Sequence, residues 1–127
     1  MTQEDKNLLL KDLCSRLPYS IKCSFGVDDT VYEITGINPT CCGASEIQAT
    51  HIKSSINGDF RLNSCKPYLF PLSSMTEEQK EEEYEICNYY LNGYESKLID
   101  FYNKNHFDYR GLIPMGLAID ATNLNIY

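Results

Sequence analysis

The sequence lacks tryptophan, has only two histidines, and contains no long run of apolar residues. A membrane-spanning helix needs about 20 mostly apolar residues in a row. A secretory signal needs a basic start followed by about 7–15 apolar residues. Neither pattern is present, because Met1–Lys6 is polar and acidic and the run Leu8–Leu10 is stopped by Lys11 and Asp12. We therefore expect a cytoplasmic protein that makes no membrane contact.

Basic residues are also scarce: 11 lysines and arginines stand against 18 aspartates and glutamates, which gives a net charge of −7. A surface this acidic repels phosphate backbones and anionic lipids, so we expect no binding to nucleic-acid polymers. The 127 residues are 43% hydrophobic and 23% charged, which is typical of a globular protein. That length predicts one domain over residues 1–127.

Motifs of known chemistry are absent as well. The sequence has no Gly-rich phosphate loop, no nucleophile elbow, no His-Glu-x-x-His and no Cys-x-x-Cys. Its six cysteines are Cys14, Cys23, Cys41, Cys42, Cys65 and Cys87. We interpret them as free thiols, with Cys14, Cys23 and Cys87 on apolar faces. The alternative is a zinc site made by Cys41, Cys42, Cys65 and His51. We expect no metal and no cofactor.

The first half of the chain predicts a helix followed by a small antiparallel meander. Leucines at helical spacing, with a weak capping box from Thr2 to Asp5, predict a helix at about 3–17. Alternating apolar residues predict strands over Tyr19–Phe25 and Thr30–Ile37, joined by a turn. An extended stretch up to Ile56 follows. Asn57-Gly58 predicts a type I′ turn into a return strand.

The second half predicts helices. Two prolines bound Lys66–Leu72, which we interpret as an extended crossover, since proline resists helix and central strand. Helices are predicted at about 76–91, with a buried stripe of Tyr84, Cys87, Tyr90 and Leu91, and at about 95–105. The apolar segment Leu112–Ile119 is expected to pack on the sheet or on a partner. The predicted fold is α+β, with about four antiparallel strands covered by one N-terminal and two C-terminal helices.

Six residues are the candidate ligand-binding set: Lys66, Tyr68, His106, Asp108, Tyr109 and Arg110. Lys66 with Tyr68, and Arg110 with Tyr109, each place a cation near an aromatic ring, which suits binding of a phosphate and stacking of a base. The alternative role of Arg110 is structural, pairing with Asp108 or a carbonyl. His106 with Asp108 could also form a general base and its orienting acid, or end a helix.

Three segments carry a family resemblance. Arg16–Tyr19, Lys66–Glu78 and His106–Ile113, the last followed by Gly116–Ile119, cover roughly a third of the chain. Together they resemble a family of small, functionally uncharacterised proteins of gut Bacteroidales, their prophages and phages. The family pattern has arginine where Phe70 stands. The resemblance implies a phage or mobile-element setting in a bacterial cell, and it implies no activity or catalytic residue.

These observations predict a non-catalytic binding protein that counters a host defence. Its partner would be a host protein or a small signalling nucleotide, and a homo-oligomer is possible. One alternative is a small enzyme using His106 and Asp108, or a cysteine nucleophile. The other is a structural or assembly subunit whose contact is the apolar segment.

Overall fold

The structure is a computed structural model that describes residues 2–26, 30–38, 47–89 and 93–127. Its helices are α1 (Gln3–Arg16), α2 (Glu77–Tyr89) and α3 (Tyr94–Lys104), with short 3-10 turns at Leu17–Tyr19, Leu62–Ser64 and Leu72–Ser74. Its strands are β1 (Lys22–Ser24), β2 (Tyr32–Ile37), β3 (Ile47–His51), β4 (Asn57–Phe60), β5 (Lys66–Pro71), β6 (Phe107–Asp108) and β7 (Ile119–Asp120).

The described strands form one mixed sheet. Its order is β4-β3-β2-β1-β5-β6, and β7 also pairs with β5. The first five strands pair antiparallel, whereas β6 and β7 run parallel to β5. The α+β class is therefore confirmed. The prediction of about four antiparallel strands is wrong, because three segments of the second half also join the sheet.

The largest difference from the sequence prediction is at Lys66–Leu72, where an extended crossover was expected and the structure has strand β5. It lies inside the sheet between β1 and β6, and Leu69 is fully buried. Each of its three neighbours, β1, β6 and β7, pairs with only two residues of β5. Because no neighbour needs a continuous ladder of N–H donors, the strand accommodates Pro67 and Pro71.

The turn between β3 and β4 lies earlier than predicted. Asn57 and Gly58 belong to β4, and residues 52–54 form the turn. The Nδ1 atom of His51 accepts hydrogen bonds from the backbone N–H groups of Lys53 (3.2 Å) and Ser54 (3.0 Å). Ser55 takes the positive φ of 59° that the turn requires. A side-chain acceptor thus forms this turn, and no Asn-Gly pair is needed.

Helix α1 begins at the predicted capping box: the Asp5 N–H donates to Thr2 Oγ1, and the Thr2 N–H donates to Asp5 Oδ2. The stripe predicted for the next helix is wrong. Tyr84 is 71% exposed, and α2 buries no residue, because it contacts the molecule mainly through Ile86 against α3. Residues 90 and 91 of that predicted stripe lie outside the described residues.

The burial of the cysteines differs from the prediction, which placed Cys14, Cys23 and Cys87 on apolar faces. Cys23 and Cys65 are buried, whereas Cys14 and Cys87 are exposed. Burial, together with the neighbouring Cys65 thiol, raises the pKa of Cys23 far above its ordinary value. Cys41 and Cys42 lie outside the described residues.

The main core lies between α1 and the sheet, and it includes the apolar segment after α3. Leu112, Leu117 and Ala118 are buried in the same cluster as Leu9 and Leu13 of α1. The segment Leu112–Ile119 therefore packs against its own chain, as one of the two predicted alternatives had it. A smaller cluster centred on Phe101 and Phe107 joins α3 to the sheet.

Candidate functional site

A buried carboxylate with two arginines joins α1 to the segment that follows β6. Asp12 Oδ2 accepts from Arg16 Nε at 2.8 Å, and Asp12 Oδ1 accepts from Arg110 Nε at 3.0 Å. Asp12 and Arg16 are fully buried. Arg110 thus has a structural partner, although the partner is Asp12 and neither Asp108 nor a carbonyl.

The ring of Tyr109 lies near both guanidinium groups. The Cζ atoms of Arg16 and Arg110 lie 5.2 and 4.8 Å from its ring centroid. The Tyr109 hydroxyl accepts from Arg110 Nη2 and donates to Asn103 of α3. Cation–π contacts and hydrogen bonds therefore hold α1, α3 and Tyr109 together.

Asp108 closes the turn that follows it. Its Oδ1 accepts from the Leu112 N–H at 2.8 Å, and its Oδ2 accepts from the Ile113 N–H at 2.9 Å. His106 Nδ1 is buried and has no hydrogen-bond partner. Asp108 therefore does not orient His106 in this structure, and the two residues do not form the acid–base pair that the enzyme alternative requires.

His106 stacks on Tyr127, with 3.7 Å between ring centroids and 12° between ring planes. Its backbone has a positive φ of 61°, which is uncommon outside glycine, although histidine adopts it more often than most residues. Burial, together with the smaller effects of the Arg16 and Lys22 charges, lowers the pKa of His106 from 6.5 to about 4. The imidazole is therefore neutral at physiological pH.

This lowered pKa predicts a pH-dependent stability. Between pH 6.5 and 4 the unfolded chain binds a proton at His106 that the folded chain does not bind. The contribution of the neutral His106 imidazole to the free energy of unfolding is therefore fully present above pH 6.5 and is lost as the pH falls towards 4. Since the ring is only part-buried, we expect a loss of about 1–3 kcal/mol in the free energy of unfolding. Urea unfolding across this pH range measures it.

The matched variant for this prediction is His106→Asn. Asparagine accepts a positive φ but does not titrate. Its unfolding free energy should fall less between the same two pH values, by the amount that the imidazole contributes. An identical pH dependence of the two proteins would contradict the assignment to His106.

The remaining two candidate residues, Lys66 and Tyr68, do not lie in the same site. Lys66 is exposed at the start of β5, whereas the buried Tyr68 lines a groove of about 910 Å³. The groove lies between the sheet, the β3–β4 turn and residues 124–126. Its lining is Lys22, Thr30, Val31, His51, Ile52, Lys53, Tyr68, Leu124, Asn125 and Ile126. We call it the basic groove.

The basic groove combines donors with apolar surface. Lys22 and Lys53 bring two ammonium groups, the first of which donates to the Ile126 carbonyl at 2.8 Å. Glu33 is in register with Lys22 across the sheet but is not among the lining residues. Because His51 Nδ1 accepts two hydrogen bonds, its ring proton is on Nε2, which can donate to a ligand. Ile52 and Leu124 are large apolar residues with exposed surface. This chemistry suits a molecule that carries both an anionic group and a flat ring.

Sequence reasoning missed most of this site. In the sequence Lys22 is only a polar position of the strand predicted over Tyr19–Phe25, and Lys53 and Tyr127 belong to no motif. Asp12 and Arg16 did carry a signal, because an acid and an arginine four residues apart lie on one helix face. Nothing in that spacing, however, indicated that the pair is buried.

Other kinds of site find no support in the described part of the chain. Among residues 2–26, 30–38, 47–89 and 93–127, no three histidine, cysteine or acidic side chains converge as a metal site. The described helices are too short or too polar to cross a bilayer. Comparison of the chain with family models, with curated proteins and with solved structures found no match.

Proposed function

We propose that this chain is a non-catalytic binding protein that holds a small nucleotide in the basic groove. In the phage or mobile-element setting that the sequence resemblance implies, it would counter a host defence by sequestering a signalling nucleotide. The observation that carries the proposal is the groove itself. In a chain of net charge −7 it gathers two lysines, a histidine donor and exposed apolar side chains around one concavity.

Concave sites of several hundred Å³ with a few converging polar groups are typical of small-molecule binding. Protein partners are usually bound on broader surfaces, about 800 Å² on each side. We therefore favour the nucleotide over the host protein. Nucleotide binding also agrees with the acidic charge of the chain, because a local cluster of cations can bind one phosphate while the whole surface repels a polymer.

Two alternatives have less support. The histidine form of the enzyme alternative needs His106 and Asp108 to act together, and Asp108 is already bonded to two backbone N–H groups. The form with a cysteine nucleophile stays a prediction from the sequence. The assembly alternative needs an exposed apolar segment, but Leu112, Leu117 and Ala118 are buried in the chain's own core. Self-association stays a prediction from the sequence.

The test is calorimetric titration of the protein with adenosine monophosphate and guanosine monophosphate at low salt. Replacing Lys53 with alanine should weaken binding about tenfold, since a lost charge-assisted contact is worth about 1.4 kcal/mol. Lys53 is suited to this test because it is exposed and forms no ion pair within the described residues. Its removal should leave the fold intact.

Lys80→Ala is the control. Lys80 is an exposed lysine on α2, outside the basic groove, so binding should not change. Failure of the wild type to bind either nucleotide at millimolar concentration would contradict the proposal. So would equal affinity in the wild type and the Lys53→Ala variant.

A further inference from the structure

Residues 122–127, which we call the strap, follow β7 and cross the molecule to Tyr127. Thr122–Asn125 are exposed, and both Asn123 and Asn125 have positive φ values, 67° and 53°. Left-handed backbone costs roughly 1–2 kcal/mol per residue, and less for asparagine. The strap is thus a thin surface segment, held mainly by Ile126, whose carbonyl accepts from Lys22 Nζ at 2.8 Å, and by Tyr127.

Tyr127 keeps 41% of its surface exposed and contacts Lys22, Tyr68 and His106, which we call the socket. The Lys22 N–H donates to Tyr127 Oη at 3.0 Å, and Tyr127 Oη donates to the Tyr68 carbonyl at 2.9 Å. His106 covers one face of the ring, and the Lys22 ammonium lies 5.3 Å from the ring centroid. These contacts suit a flat ring whose edge both accepts and donates a hydrogen bond.

Tyr127 leaves polar atoms near the socket unsatisfied. His106 Nδ1 and Arg16 Nη1 are buried without a hydrogen-bond partner, and the Arg16 side chain is fully buried. Arg16 is close enough for its charge to act on both His106 and Tyr127. Buried polar atoms are nearly always hydrogen-bonded. The lone pair of His106 Nδ1 lies in the imidazole plane, so a ring stacked on His106 cannot bond to it, and Arg16 Nη1 is the group that an acceptor on the ligand would satisfy.

The socket and the basic groove are continuous, because Lys22 and Tyr68 belong to both and Ile126 lines the groove. We propose that the Tyr127 ring occupies the position that the base of the bound nucleotide takes. The strap then leaves the socket when the nucleotide binds, with the phosphate near Lys22 and Lys53. This inference rests on the proposed function and adds the orientation of the ligand and its internal competitor.

The experiment uses three variants of Tyr127 and adenosine monophosphate as the probe. Tyr127→Ala removes the competing ring and should bind the nucleotide about tenfold more tightly than wild type, since the cost of displacing the strap disappears. Tyr127→Phe keeps the ring but loses both hydrogen bonds of the hydroxyl, so a gain of about threefold is expected. Tyr127→Trp introduces the only tryptophan of the chain. Its emission should shift to the red as the nucleotide displaces it.

A second probe tests binding to the socket itself. Para-cresol, which has the ring and hydroxyl of a tyrosine side chain, should raise the melting temperature of Tyr127→Ala and leave wild type unchanged. It should also compete with adenosine monophosphate for that variant. Tyr84→Ala removes an exposed tyrosine of α2 and serves as the control, with wild-type affinity expected for both probes.

The outcomes separate this inference from the proposed function. Nucleotide binding that depends on Lys53 but is equally tight in wild type and Tyr127→Ala, with no change in tryptophan emission, overturns the inference and leaves the proposed function standing. Absence of nucleotide binding in every variant overturns both.

Discussion

Replacing Asp12 with alanine should lower the free energy of unfolding by about 3–5 kcal/mol, the usual cost of removing one partner from a buried ion pair. Asp12 is the carboxylate that contacts both Arg16 and Arg110. Without it, the fully buried Arg16 guanidinium keeps only its hydrogen bond to the Phe107 carbonyl and the face of the Tyr109 ring. Urea unfolding at neutral pH gives the difference directly.

Replacing all three charged residues of the cluster with apolar ones separates the cost of an unpaired buried charge from the contribution of the ion pairs. The triple variant Asp12→Leu, Arg16→Met, Arg110→Leu removes all three charges together, so no buried charge is left unpaired. It should recover most of the stability that Asp12→Ala loses, because burying an ion pair already costs desolvation. A triple variant that is less stable than the single one would contradict this account.

The exposed pair on α2 provides the matched control. Lys80 and Glu77 lie 3.3 Å apart, with their side chains 54% and 89% exposed. Because solvent screens such a pair, Lys80→Ala should change stability by less than about 0.5 kcal/mol. A loss for Asp12→Ala as small as this would show that water reaches the cluster in solution.

Replacing Leu69 with alanine should cost about 2–5 kcal/mol, as for other fully buried leucines. Leu69 has no exposed surface and is registered with Asp120 of β7, and its carbonyl accepts from the Ala121 N–H. The truncation leaves a cavity in the main core, to which Leu69 belongs, and the surrounding strands fill it only in part. Thermal and urea unfolding both measure the loss.

Leu72 is the control for this prediction, since it follows β5 directly and is 39% exposed. Leu72→Ala should cost less than about 1 kcal/mol, because little apolar surface returns to water. An extended surface crossover would give the two leucines similar values. Unequal losses would therefore support β5 as an interior strand, and equal losses would count against it.

The parts of the fold that could be predicted are those with local causes. The capping box at Thr2 and Asp5 fixes the start of α1, and the period-two pattern around Cys23 marks β1. The β3–β4 turn could not be placed from its strongest dipeptide signal, because the His51 side chain supplies the hydrogen bonds that form the turn. Such an acceptor is visible only when its distance to the backbone is known.

The candidate site shows the same limit. Tyr68 was selected from the sequence and does line the basic groove, but Lys66, its predicted partner, is exposed at the start of the strand and is not among the groove residues. The groove lysines come from β1 and from the β3–β4 turn, and the ring that stacks on His106 comes from the last residue of the strap. None of these is near the others in sequence.

The sequence alone determined the α+β class, the acidic charge and the helix starts, because these depend on composition and on contacts within a few residues. The tertiary structure decided the mixed sheet, the burial of Asp12 and Arg16, and the joining of Lys22, Tyr68 and Tyr127 around one ring. Such features depend on which distant segments meet. The desolvation and the hydrogen bonds that stabilise them exist only once the tertiary fold has brought those segments together.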